Sequence, residues 1–235
     1  MIIKVCGLKD RENLLDVCKE KINMVGYNFY KPSPRYVDQL MPDIPVKSGP
    51  FEIFKVGVFV NMPYKEICRI NEHYHLDYAQ LHGDESLYMV KKVKSIISVI
   101  KVFRINDQFD HTVLKKYNFC DYFLFDKATD KYGGSGMKFD WTIVSEWKIE
   151  RRFLMSGGIG PEDADEILKI AHPQFKGIDI NSKFEISPGI KDVALINKFV
   201  TKIRKRLDQP IPKSLKKLDE NQDNPRNAQL KFRIF

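Results

Sequence analysis

Two side chains separated by more than a hundred residues carry the chemistry this sequence most readily offers: the thiol of Cys6 and the carboxyl of Asp126. Each ends a short β-type run, Ile2–Cys6 and Tyr122–Phe125. Period-two alternation puts Lys4 with Cys6 on one face and Tyr122, Leu124 and Asp126 on another. If both faces line one cavity, a thiol and a carboxyl form an acid–base pair. Taken singly, each also fits a structural role, since a strand-end Cys is often a small buried hydrophobe and a strand-end Asp often a cap. Three small-residue segments point to a second kind of chemistry. Gly133-Gly134-Ser135-Gly136, Ser156-Gly157-Gly158-Ile159 and Asn181-Ser182 follow successive strand-like runs. Glycines let backbone amides converge on an anion with no Cβ in the way, and a helix N-terminus after such a loop adds a favourable dipole. Arg35, set between prolines in Lys31-Pro32-Ser33-Pro34-Arg35, is suited to holding a carboxylate through paired hydrogen bonds. His82 reads as a base or as a hydrogen-bonded structural histidine. No second ligand stands at a familiar metal spacing, so no metal site is expected.

The elements that must position these residues alternate along the chain. Strands are expected at Ile2–Cys6, Met24–Phe29, Lys55–Val60, Tyr78–Leu81, Ser98–Phe103, Tyr122–Phe125, Arg152–Met155 and Gly177–Ile180. Helical periodicity fits Arg11–Lys21, Tyr64–His73, Ser86–Lys94, Pro161–Ile170 and Lys191–Arg206, with a short helix near Pro34–Leu40. Eight strand-then-helix units imply a parallel α/β sheet, and the absence of Gly-x-Gly-x-x-Gly after the first strand argues against a dinucleotide-binding open sheet. The expected fold is a single (β/α)8 TIM barrel over residues 1–207. A chain of 235 residues suits that fold. In such barrels the carboxyl ends of the strands build the active site. The clustering there of Cys6, Tyr30, Arg35, Asn61, His82, Arg104, Asp126, Ser156, Asp179 and Asn181 is the strongest internal sign of function.

Composition narrows the classes. Four widely spaced cysteines without a Cys-x-x-Cys pair exclude a disulfide framework and a zinc ribbon. The first residues run straight into a strand, and no apolar run reaches the ~20 residues of a membrane span. A soluble, cytoplasmic protein is expected. The net charge of +8 belongs mostly to residues 201–235, which hold ten Lys/Arg and four Asp/Glu. A basic tail without interleaved aromatics is weak ground for nucleic acid, and none is expected as a partner. Residues 208–235 are read as a basic extension, docked or disordered, and the oligomeric state is left open between monomer and homodimer.

The ordered motifs resemble one family. Lys4-Val5-Cys6-Gly7-Leu8, Ser33-Pro34-Arg35, Gly57-Val58-Phe59-Val60-Asn61 and Gln80-Leu81-His82-Gly83-Asp84-Glu85 mark the first half. Phe139-Asp140-Trp141, Leu154-Met155-Ser156-Gly157-Gly158-Ile159, Gly177-Ile178-Asp179 and Ser187-Pro188-Gly189-Ile190-Lys191-Asp192 mark the second. Together, from residue 2 to about residue 200, they resemble the phosphoribosylanthranilate isomerases of tryptophan biosynthesis. The resemblance implies a cofactor-free Amadori rearrangement of N-(5′-phosphoribosyl)anthranilate, a small sugar phosphate. It implies Cys6 as general base, Asp126 as general acid and Arg35 on the anthranilate carboxylate. Phosphate is expected at the amides of Gly134, Gly136, Gly157 and Gly158 and near Ser182, with His82 and Asp179 lining the pocket. Two departures stand out: Ser135 replaces the family's Thr, and Lys183-Phe184 replaces the more usual Gly and apolar residue. The roles call for an Asp pKa raised by burial and a Cys pKa lowered, with Lys4 as the available cation. The alternatives are another phosphate-binding barrel isomerase or epimerase, or a non-catalytic phosphate-binding scaffold.

Overall fold

The computed structural model describes residues 1–37, 47–48, 51–127 and 141–208. Eight parallel strands close into a barrel: β1 (Ile2–Cys6), β2 (Met24–Asn28), β3 (Phe54–Phe59), β4 (Tyr78–Leu81), β5 (Ser98–Ile105), β6 (Tyr122–Lys127), β7 (Phe153–Met155) and β8 (Phe175–Ile180). Each strand pairs with its sequence neighbours, and β1 pairs with β8 through Ile2–Gly177 to Val5–Ile180. Closure leaves no unpaired edge.

The period-two alternation sorts side chains into two cores. Outward-facing Val25, Tyr27, Phe59, Phe103, Phe123, Phe125, Phe153 and Ile178 pack under the helical layer. Inward-facing Met24, Val56, Ile100, Val102, Leu124 and Leu154 fill the barrel's lower interior, with Ile2, Phe54, Tyr78 and Tyr122 at the rim below them. Burying a large apolar side chain contributes roughly 1.5–3 kcal/mol, so these layers dominate stability.

The outer layer is less helical than the sequence pattern predicts. Helices α1 (Arg11–Val17), α2 (Tyr64–Tyr74), α3 (Leu87–Lys94), α4 (Ala164–Ile167) and α5 (Val193–Asp208) are present. Asp10 caps α1 by accepting from Asn13 N at 2.8 Å, and Ser86 caps α3 from Met89 N. After β5 and β6 the chain makes 3-10 turns at His111–Tyr117 and Trp141–Glu146. The expected helix near Pro34–Leu40 does not form over its described part. Ser33 Oγ accepts Arg35 N, and the chain then runs beside β2, with Val37 N donating to Asn28 O. Tyr36 makes a parallel bridge to Asn28, so the segment extends rather than coils. The seventh helix shrinks to a 3-10 turn at Pro161–Asp163 followed by α4. The first ends at Val17, four residues early. No helix of the described residues is long and apolar enough to cross a membrane. The tail from residue 209 and the glycine segment 133–136 lie outside the described residues.

Candidate active site

The inward positions of the strands change character toward their carboxyl ends. Along β1 the series is Ile2, Lys4, Cys6; along β2 it is Met24, Gly26, Asn28; along β4 and beyond it is Tyr78, Gln80, His82; along β6 it is Tyr122, Leu124, Asp126. These upper positions open a cleft of about 760 Å³, continuous with solvent. Cys6, Tyr30, Arg35, His82, Asp126, Ser156, Gly157, Gly158, Asp179, Asn181 and Ser182 all line it, whereas Asn61 and Arg104 from the expected strand-end cluster do not. The expected phosphate residues Gly134 and Gly136 lie outside the described residues.

The thiol sits in a charged corner. Lys4 Nζ, fully buried, donates to Asp179 Oδ2 at 2.8 Å and lies within hydrogen-bond reach of the Cys6 sulfur. Gly26 on the neighbouring strand makes the room. A Cβ there would stand 2.8 Å from Cys6 Sγ and 3.1 Å from Lys4 Nζ. Burial opposes the charge on Lys4, but the Asp179 carboxylate and Cys6 outweigh it and hold the ammonium above its usual range. Burial pushes the Asp179 carboxyl up, against the pull of Lys4. Burial likewise pushes the Cys6 thiol up, and the Lys4 and Lys191 cations only partly offset it. This reverses the expectation of a lowered thiol pKa. Lys4 is beside the sulfur as anticipated, but desolvation at a nearly closed site exceeds its pull.

Asp126 faces the cleft from β6. Its Oδ1 accepts the Lys127 backbone N–H at 2.9 Å, and its Oδ2 lies 3.2 Å from His82 Nε2. The His82 ring is held on its other side by the amide of Gln80, with Nε2 3.2 Å from Nδ1. The strand-end loop carrying His82 rests on a buried frame. Lys101 donates to Gly83 O at 2.9 Å and to Glu85 Oε2 at 2.8 Å, and Glu85 Oε1 accepts from Gly83 N and Asn61 N.

Arg35 is fixed by a residue absent from the sequence argument. Its Nε and Nη2 grip the Glu185 carboxylate at 2.9 and 2.7 Å. Glu185 also accepts from Lys191 Nζ at 2.7 Å and from Gly189 N at 3.0 Å, within a hairpin of Glu185–Ser187 and Ile190–Lys191. Burial raises the Glu185 carboxyl, but Arg35, Lys191 and the Gly189 amide outweigh it and hold the group below its usual range. Lys191 also donates to Asn181 Oδ1 at 2.7 Å, tying this cluster to the loop of Ser182.

The glycine pair after β7 adopts backbone angles that favour glycine. Gly157 and Gly158 both have positive φ, +85° and +72°, a region that costs other residues strain. A Cβ on Gly157 would lie 2.7 Å from Lys127 N and 2.9 Å from Asp126 Oδ1, so the loop folds directly over the acid. The turns after β7 and β8 are only 3-10 turns of three residues, the first running into the four-residue α4. Such short turns offer little macrodipole.

Sequence reasoning missed Gly26, Gln80, Glu185 and Lys191 as site-building residues. Gly26 and Gln80 were within reach of the period-two argument, two positions before Asn28 and His82. Glu185 meets Arg35 from 150 residues away, and Lys191 reaches it only once the Glu185–Ser187 and Ile190–Lys191 hairpin has formed, so neither contact shows in strand or helix periodicity.

The family model for N-(5′-phosphoribosyl)anthranilate (PRA) isomerase matches residues 3–202. The chain belongs to the phosphoribosylanthranilate isomerase family. A family relative from Parabacteroides distasonis, N-(5′-phosphoribosyl)anthranilate isomerase, is 42% identical over 206 residues, covering 86% of this chain and 93% of that protein. Its counterpart from Phocaeicola vulgatus is 36% identical, covering 88% and 100%. Among solved structures, phosphoribosyl anthranilate isomerase from Thermotoga maritima superposes with a TM-score of 0.75 at 29% identity, over 87% of this chain and 100% of that one. Another phosphoribosyl anthranilate isomerase, in complex with reduced 1-(o-carboxyphenylamino)-1-deoxyribulose 5-phosphate, gives 0.73 at 26% identity over the same shares. The TIM-barrel fold and membership of this isomerase family of tryptophan biosynthesis thus rest on sequence and structure together.

Proposed function

We propose that this chain converts N-(5′-phosphoribosyl)anthranilate to 1-(2-carboxyphenylamino)-1-deoxyribulose 5-phosphate, with Asp126 as general acid and Cys6 as general base. One observation carries the reading: a thiol and a carboxyl from β1 and β6 line one cleft, with an anchored arginine and a positive-φ glycine pair on its walls. The related structure in complex with reduced 1-(o-carboxyphenylamino)-1-deoxyribulose 5-phosphate supports the same substrate class.

In this reading protonated Asp126 gives its proton to the furanose ring oxygen, the C1′–O bond breaks and the ring opens to a Schiff base. Cys6 thiolate then removes the C2′ proton, and the resulting enolamine is converted to the ketone. The Asp126 carboxylate formed in the first step meets the Lys127 N–H already aimed at Oδ1, with His82 Nε2 3.2 Å from Oδ2. The thiolate is scarce at neutral pH because burial raises its pKa, but it is a correspondingly strong base toward carbon. Lys4 stabilises it when it forms. A guanidinium has five N–H donors. Glu185 holds Arg35 by Nε and Nη2, and the remaining donors take the anthranilate carboxylate. The amides of Gly157 and Gly158, with Ser182, take the phosphate.

The test is the fluorescence of phosphoribosylanthranilate incubated with the purified protein. A protein-dependent first-order decay, saturable in substrate, is expected. No decay with a well-folded preparation would overturn the substrate assignment.

A further inference from the structure

Gln80 sits on β4, 1% exposed, one inward step below His82. Its Nε2 lies 3.2 Å from His82 Nδ1, and its Oε1 is buried with no hydrogen-bond partner among the described residues. An amide nitrogen can only donate, so that contact is a hydrogen bond only when Nδ1 carries no proton. The single proton of a neutral ring then belongs to Nε2. That nitrogen is the one 3.2 Å from Asp126 Oδ2.

We propose that Gln80 is a positioning residue that holds neutral His82 as the Nε2–H tautomer, making the imidazole a preset donor to Asp126. The inference rests on the reading of Asp126 as the acid and extends it. When Asp126 loses its proton to the ring oxygen, negative charge appears on a carboxyl nearly closed off from water. A donor oriented beforehand stabilises that charge without reorganisation. The opposite tautomer would turn a lone pair toward the newly formed carboxylate and repel it. Gln80 reaches Nδ1 with its amide nitrogen while, among the described residues, its buried carbonyl oxygen has no partner. An unpaired buried oxygen is costly, which is why a purely space-filling role for this amide is a poor account of it.

The experiment is ¹⁵N NMR of the five histidines in the whole protein, with His82 assigned from the spectrum of His82→Asn. In the native protein at neutral pH, a bare Nδ1 and a protonated Nε2 are expected. In Gln80→Met, which keeps length but offers no donor, the ring signals move toward a mixture of tautomers. Its kcat falls roughly 10- to 100-fold with KM little changed, the size seen for outer partners that orient metal-bound imidazoles. In Gln80→Glu the carboxylate accepts from Nδ1, and the proton moves there. A native spectrum with the proton on Nδ1 overturns the proposal even if every variant misfolds. Gln80→Met with native ring signals overturns it as well. The acid assignment fails separately: full turnover in Asp126→Asn would remove it and leave the tautomer result standing.

Discussion

The same eight strands build two unlike ends of one barrel. In the lower interior, the inward positions are Met24, Val56, Ile100, Leu124 and Leu154, closed from below by Phe54, Tyr78 and Tyr122. Two residues further along these strands or their neighbours stand Gly26, Gln80, Asp126 and Ser156, and beyond them Asn28 and His82. The lower end needs only shape and hydrophobicity. The upper end buries Lys4, Gln80, Asp126 and Asp179, each of which would destabilise an apolar core without its neighbours. Stability is therefore invested below and outside, and the polar rim is held in place by partners rather than by packing.

Lys4 marks the boundary between the two, and its loss should show the largest effect on stability. Lys4→Met keeps the volume but leaves Asp179 buried and unpaired beside Cys6. Removing one member of a buried pair costs about 3–5 kcal/mol, read as a fall in the denaturant midpoint, and turnover should drop too. A variant as stable as the parent would mean the pair is not a structural joint. Leu124→Ala tests the lower layer alone. It should cost roughly 2–5 kcal/mol by leaving a cavity, while kcat/KM of the surviving folded protein stays close to normal. A large kcat loss at full stability would erase the distinction between the two ends. Gly157→Ala tests the rim from the other side. A Cβ at positive φ, pressed on Lys127 N and Asp126 Oδ1, should cost about 1–3 kcal/mol of local strain and raise KM for the phosphorylated substrate.

Much of this division can be read from period two alone. All eight strands and the convergence of Cys6, Asp126, His82 and Asp179 follow from alternation and the barrel rule. Helix prediction fails at Pro34–Leu40, where Pro34–Val37 is instead recruited to extend alongside β2, and falls short at Pro161–Ile170, which forms only a 3-10 turn and the four-residue α4. Partnerships fare worst. Lys4 and Asp179 are 175 residues apart, and Arg35 and Glu185 are 150 apart. Only closure of β1 against β8 brings the first pair together. Desolvation is likewise a property of the assembled site, which is why the direction of the Cys6 shift could not be anticipated from the nearby lysine.

That shift gives the subtlest contrast. As the proposed base, Cys6 would act as thiolate, and burial has moved its pKa up. The expected kcat/KM profile therefore still climbs through neutrality and levels off only above the range of an ordinary thiol, ~8.5. In Lys4→Met, with the offsetting cation gone, it should level off higher still. A plateau already reached below pH 7 would mean that the thiol is not the titrating base.

Single-turnover rates for Cys6→Ala and Asp126→Asn, measured beside their thermal midpoints, test the proposed acid–base pair most directly. A general base or acid contributes typically ~10²–10⁴-fold, so each variant should lose turnover on that scale while melting close to the parent. Near-native turnover in either folded variant would contradict the role assigned to that residue.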